Sequence, residues 1–173
     1  MIIGLSGKMG TGKSTLATFI MSVMGLTAIV KIASILYELQ DMIYKTLGLT
    51  LEGEKDRPLL IAIGMWGRSK DENFWTDKAM QRAKELSAQG YTVIIDDCRF
   101  PNEAKAIEDA GGLLIRIEGV QRGPNITPEA INTPSECALD EYKFEYVINN
   151  QTTQESVQEQ FNFILEQFAH RRS

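Results

Sequence analysis

The run Ser6-Gly7-Lys8-Met9-Gly10-Thr11-Gly12-Lys13-Ser14-Thr15 packs three glycines into six positions, a density that weakens any helix or strand built on it. Gly7, Gly12, Lys13 and Ser14 fit the pattern G-x-x-x-x-G-K-[ST] without a mismatch. Glycines in that pattern let backbone N–H groups converge on phosphate oxygens, and the helix that follows adds the partial positive charge of its N-terminus. The chemistry expected is capture of a nucleoside triphosphate, ATP, along Gly7, Met9, Gly10, Thr11, Gly12, Lys13, Ser14 and Thr15. Lys13 is placed to reach the β- and γ-phosphates, and the Ser14 hydroxyl to ligate Mg²⁺.

A second cluster follows an apolar run at Tyr91 to Ile95, which ends in Asp96-Asp97 and then Arg99. Either acid is a candidate Mg²⁺ ligand or an acceptor-orienting group, and residue order alone does not divide those roles. Guanidinium forks suit phosphate because they donate two parallel hydrogen bonds and keep their charge. Arg57, Arg68 and Arg99 are therefore candidates for a second anion, with Trp66 and Trp75 as the aromatics near them. Arg116 and Arg122 are weaker candidates on the side of the glycine- and proline-rich stretch at 119–135.

These groups need a scaffold. Apolar spacing predicts a strand over Met1 to Leu5, a helix over Ser14 to Met24 and a buried strand over Leu26 to Ile32. A helix is expected from Ser34, capped by that serine, to Gly48, and a short one around Leu59 to Trp66. Further helices are expected over Glu72 to Gln89, Asn102 to Ala110 and Thr152 to Phe168, and strands over Tyr91 to Ile95, Leu113 to Ile117 and Phe144 to Ile148. Strands alternating with helices imply an α/β fold with a parallel sheet covered on both faces. In such sheets ligands lie beyond the C-terminal strand ends, where both clusters fall. Residues 1–173 read as a single domain, with an acceptor-binding segment at about 34–75 and a mobile lid at about 119–135.

Whole-chain properties narrow the classes. A formal charge of -5 and a pI near 5.0 argue against a nucleic acid polymer as partner. No apolar run approaches the roughly 20 residues that span a bilayer, so no membrane partner and a cytoplasmic location are expected. Cys98 and Cys137 form no CxxC pair, and His170 is the one histidine, so a His/Cys metal site is not expected. The region Val147-Ile148-Asn149-Asn150-Gln151 lacks the N-K-x-D element of guanine-reading switches. Nothing in the chain fixes the oligomeric state, and a homodimer is left open.

Asp97-Cys98-Arg99-Phe100-Pro101-Asn102-Glu103-Ala104, "DCRFPNEA", taken with the glycine loop, resembles the bacteriophage deoxynucleoside monophosphate kinases. "RPLLIAIGMWGR", "NFW", "GGLLIRIE", "PSECALD" and "FEYVINN" extend the likeness over most of the chain. The resemblance implies a P-loop, nucleoside-monophosphate-kinase-like three-layer sandwich with a five-stranded parallel sheet. It also implies transfer of the γ-phosphoryl group of ATP, with Mg²⁺, to a (deoxy)nucleoside monophosphate for phage DNA precursor synthesis. On that likeness Lys13, Asp97 and Arg99 are catalytic, and Arg57 and Arg68 hold the monophosphate. Thr133 stands where such sequences often carry histidine, so no role transfers to that position. Two other readings keep the P-loop: a kinase of another small acceptor, such as dephospho-coenzyme A or a nucleoside, and a regulatory module that binds ATP without transferring phosphate.

Overall fold

The computed structural model describes residues 1–53, 55–123, 126, 131–151 and 153–171. Five strands form one parallel sheet in the order β2-β3-β1-β4-β5. They are β1 (Ile2–Ser6), β2 (Thr27–Ile29), β3 (Thr92–Cys98), β4 (Leu113–Gly119) and β5 (Tyr146–Asn150). Helices with bounds among the described residues are α1 (Lys13–Val23), α2 (Ser34–Leu47), α3 (Arg57–Lys70), α4 (Phe74–Ala88), α5 (Pro101–Asp109), α6 (Pro134–Cys137) and α7 (Gln154–His170). No helix among the described residues is long and apolar enough to cross a membrane.

Alternation along the strands divides the interior into two apolar layers, because successive side chains leave opposite faces. Val93 and Ile95 of β3 join Trp75, Ala79, Met80, Ala83 and Ile107 beneath α4 and α5. Ile94 of the same strand turns the other way, to Leu16, Ile20 and Phe161 of α1 and α7. The central strands are therefore apolar on both faces, as the run at Tyr91 to Ile95 predicts.

Several boundaries differ from expectation for identifiable reasons. β2 is an edge strand of three residues, not a buried one of seven, and Leu26 at its start is exposed. Ser34 is the first helical residue of α2 and does not cap it; the helix stops at Gly48, which adopts φ 65°. α3 runs for fourteen residues because the Asp56 carboxylate accepts the Leu59 N–H at 3.0 Å and Pro58 suits the first turn. β5 starts two residues later than expected, since Phe144 packs with Tyr142 (5.0 Å between ring centroids) under the other layer. α6 begins at the very end of the stretch read as lid, runs two residues past it, and was not expected.

Candidate active site: a phosphate loop facing an arginine-lined crevice

β1 ends at Ser6, and the chain turns through the glycine loop into α1. Gly10 and Gly12 take φ of 78° and 103°, conformations that side chains rarely adopt. Space gives a second reason. A Cβ on Gly12 would strike the Asn150 side-chain nitrogen, and one on Gly10 would strike the Arg122 backbone. Neighbouring strand ends hold the loop from outside: Asn150 Nδ2 donates to Thr11 O at 2.8 Å, Gln121 Nε2 to Met9 O at 2.9 Å, and Arg122 N to Gly10 O at 3.1 Å.

Lys13 folds its amine back over this loop, donating to Gly7 O at 2.6 Å and Lys8 O at 2.9 Å. Burial, then the Arg99 charge, lowers its pKa to about 8, while the Glu136 carboxylate works the other way. Ser14 and Thr15 are exposed at the start of α1.

A crevice of about 1090 Å³ opens in front of the loop. Its walls include Met9, Gly10, Lys13 and Ser14 on one side, and Arg68, Asp96, Asp97 and Arg99 on the other. The two strand-end acids differ in their surroundings. Asp97 is committed to backbone: its two oxygens accept the Ile32 and Ala33 N–H groups at 2.9 and 3.0 Å, which fixes the turn between β2 and α2. Burial raises its pKa in spite of those bonds. Asp96 is 8% exposed, its Oδ2 lies 3.7 Å from Lys31 Nζ, and its Oδ1 has no hydrogen-bond partner. A buried carboxylate oxygen in that condition, on the same crevice as the Ser14 hydroxyl, fits a hard cation such as Mg²⁺.

Arg68 lies on α3 with its guanidinium 4.9 Å from the Phe100 ring centroid. Trp75 lines the floor but is buried, with Nε1 donating to Gly64 O at 3.0 Å, so it packs α4 against α3 rather than presenting a free face. Two expected acceptor residues do not join the crevice wall. Arg57 is exposed at the first turn of α3, and Trp66, 53% exposed, points away on the same helix, meeting Phe74 edge-on at 5.7 Å. Helical rotation explains Trp66, which stands two residues from Arg68 and so on the far side of α3; Arg57 shares the face of Gly64 and Arg68 but lies three turns before Arg68, beyond the end of the crevice. Arg116 is buried within β4, reaching Ser6 Oγ and Asp140 Oδ1, each at 3.3 Å. Arg122 is exposed and lines a smaller cavity of about 180 Å³ with Gly12, Thr15, Phe19, Asn150 and Gln154, adjoining the loop on its other side. Of the expected lid, residues 124, 125 and 127–130 lie outside the described set.

Glu103 and Glu136 were missed by the reading of spacing. Glu103 Oε2 accepts the Arg99 and Phe100 N–H groups at 2.7 and 3.1 Å, a reach-back that the three-residue step from Phe100 to Glu103 at the start of α5 signals. Glu136 Oε2 accepts the Met9 N–H at 2.6 Å, and its Oε1 pairs with Arg99 Nη1. No local pattern announces a contact across that sequence separation.

No family model matches this chain. An uncharacterized protein, ORF77, of Ictalurid herpesvirus 1 is 32% identical over 143 residues, which is 82% of this chain and 60% of that protein, so the chain spans about three-fifths of its relative's length. Among solved structures, the dephospho-CoA kinase of Campylobacter jejuni aligns over 99% of this chain and 98% of its own with a TM-score of 0.59 and 15% identity. A sugar kinase from Janibacter sp. aligns over 95% and 94% (TM-score 0.58, 14% identity). The shikimate kinase of Aquifex aeolicus aligns over 98% of both chains (0.53, 19%). The fold is therefore the P-loop kinase-like α/β sandwich expected from the sequence.

Proposed function

We propose that this chain transfers the γ-phosphoryl group of ATP to a (deoxy)nucleoside monophosphate. The observation that carries the reading is the shared crevice: Lys13 and Ser14 of the phosphate loop line the same cavity as Arg68 and Arg99. Its kinase-like fold and its resemblance to phage deoxynucleoside monophosphate kinases support the same conclusion. A triphosphate seated on the loop and an anionic acceptor held by the arginines meet there, which converts a bimolecular encounter into an oriented one.

Phosphoryl transfer needs little covalent help from protein; it needs in-line placement and neutralised charge. Lys13 would exchange its two carbonyl partners for phosphate oxygens, and Arg99 would take part of the charge carried by the group in transit. Arg68 would hold the acceptor phosphate. Asp97, by fixing the Ile32–Ala33 turn, shapes the acceptor wall. Ser14 and Asp96 would hold Mg²⁺, which when bound offsets charge on the phosphates. The smaller cavity beside Thr15, Phe19 and Asn150 suits the donor base. An acceptor phosphate is already ionised at neutral pH, so no general base is needed. The strand-end carboxylates favour one second reading, a kinase of a hydroxyl acceptor such as a nucleoside or dephospho-coenzyme A, because a hydroxyl must lose a proton.

The deciding experiment measures ADP release with ATP and Mg²⁺ over a panel of deoxy- and ribonucleoside monophosphates, nucleosides and dephospho-coenzyme A. Acceptor-dependent ADP with a monophosphate, lost by about three or more orders of magnitude in Lys13→Ala, is expected. Activity confined to hydroxyl acceptors would replace the proposal with the second reading, and tight ATP binding with no acceptor-dependent ADP would remove transfer altogether.

A further inference from the structure

Two carboxylates from the segment around α6 sit among the cations that a phosphate-transfer reading needs. Glu136 is only 4% exposed, and each of its oxygens has a different partner, the Met9 N–H of the phosphate loop and the Arg99 guanidinium. One turn later, Asp140 takes Lys8 Nζ at 2.9 Å and Arg116 Nη2 at 3.3 Å. This segment is therefore tied at once to the loop after β1, to the end of β3 and to β4.

An acid in such a place has two physical readings. It is an anion that competes with phosphate for Arg99, or it is a brace that aims Arg99. Donor arithmetic favours the brace. A guanidinium carries five N–H donors in a fixed fork, and Glu136 engages it only at Nη1, which leaves the rest of the fork for a ligand. Burial points the same way, because separating a buried carboxylate from its partner leaves uncompensated charge in a water-poor niche. Within the loop the Met9 N–H is taken by Glu136 and the Thr11 N–H donates to Lys8 O at 3.3 Å, so a phosphate would draw on the other amides.

Building on the phosphotransfer reading, we infer that Glu136 is a positioning residue: it braces the Arg99 guanidinium against the phosphate loop so that the remaining donors face the phosphoryl group in transit, and it makes that aim depend on the seating of α6.

The test is a double-mutant cycle of Glu136→Gln and Arg99→Ala, read as steady-state ADP formation with the best acceptor of the panel, or with water if none is used, together with the affinity of a fluorescent ATP analogue. Glu136→Gln should lower kcat by about 10- to 100-fold while analogue affinity stays within about threefold. In the Arg99→Ala background the same change should alter kcat by less than about threefold, since a brace has nothing left to aim. Glu136→Asp, which retains the charge on a shorter stem, should fall between wild type and the glutamine variant and serves if that variant does not fold. An unchanged kcat in either variant, an equal loss in both backgrounds, or tighter analogue binding with raised kcat would overturn the brace, the last in favour of the competing anion. Wild-type protein that forms no ADP with any acceptor or with water would sink the phosphotransfer reading and this inference together, whereas active wild type with indifferent variants sinks this inference alone.

Discussion

Glu103 shows how a single residue makes the arginine-bearing corner depend on pH. Its Oε2 accepts two backbone N–H groups where β3 hands over to α5, yet burial pushes its pKa up to about 7 against those bonds. Between the ordinary value of 4.5 and 7 the folded chain holds a proton that the unfolded chain releases. The contribution of this group to stability is therefore fully present below about 4.5 and is lost as pH rises through 7, an effect on the order of 3 kcal/mol. Glu103→Gln keeps one oxygen for both amides and removes the titration. Melting temperature of wild type relative to that variant should fall between pH 5 and pH 8; parallel curves would show that Glu103 keeps an ordinary carboxylate pKa in the fold. The glycine loop and the Asp-x-Arg run were readable at this scale because their chemistry is set by local spacing. The contrast between Asp96 and Asp97 was not, because adjacent strand residues face opposite ways and residue order does not say which face meets the crevice.

Element α3 carries Arg68, and two of its glycines decide how that helix docks. A Cβ on Gly67 would land on the Trp75 indole, which is itself fixed by its bond to Gly64 O. Ala is worth about 1 kcal/mol more than Gly in a helix interior, but overpacking a rigid ring costs typically about 1–3 kcal/mol. Gly67→Ala should therefore lower stability by a net amount of up to about 2 kcal/mol and shift Arg68 with the helix, raising the KM for the acceptor more than that for ATP. A rise in stability, or equal effects on both KM values, would show that α3 has freedom to re-dock. Gly67 stands just past the short helix expected around Leu59 to Trp66: in the string it reads as a helix breaker, and only Trp75, arriving from α4, reveals it as a packing site. β2 was overestimated for the converse reason. Leu26 to Ile32 is apolar enough for a central strand, but its position at the sheet edge leaves three residues paired. α6 escaped notice because four residues make no period.

Across the whole molecule, the crevice meets the apolar layer beneath α4 and α5 at Ile32 and Trp75, while other members of that layer, Ile107 among them, stay outside it. Ile107 is fully buried under β1 and β4, with its side chain pressed toward Gly4 and Gly112, where Cβ atoms would approach it to 2.7 and 2.9 Å. These positions precede the C-terminal strand ends that carry the loop, Asp96 and Arg99. Ile107→Ala should cost about 2–5 kcal/mol, from lost transfer energy and the cavity left behind. At a temperature where the variant is still folded, its KM for ATP and for the acceptor should match wild type, because Ile107 is not among the residues that line the crevice. Ligand linkage supplies the complement: a non-hydrolysable ATP analogue with Mg²⁺ at about 100 times its Kd adds about 2.7 kcal/mol to whatever stability the apo protein has. Wild type and Ile107→Ala should then gain the same increment from the analogue, read as equal shifts of the denaturant midpoint at unchanged slope. A smaller gain in the variant would mean that the packing layer beneath α5 and the phosphate loop form one cooperative unit, and that the bottom of the sheet helps to set the geometry at its top.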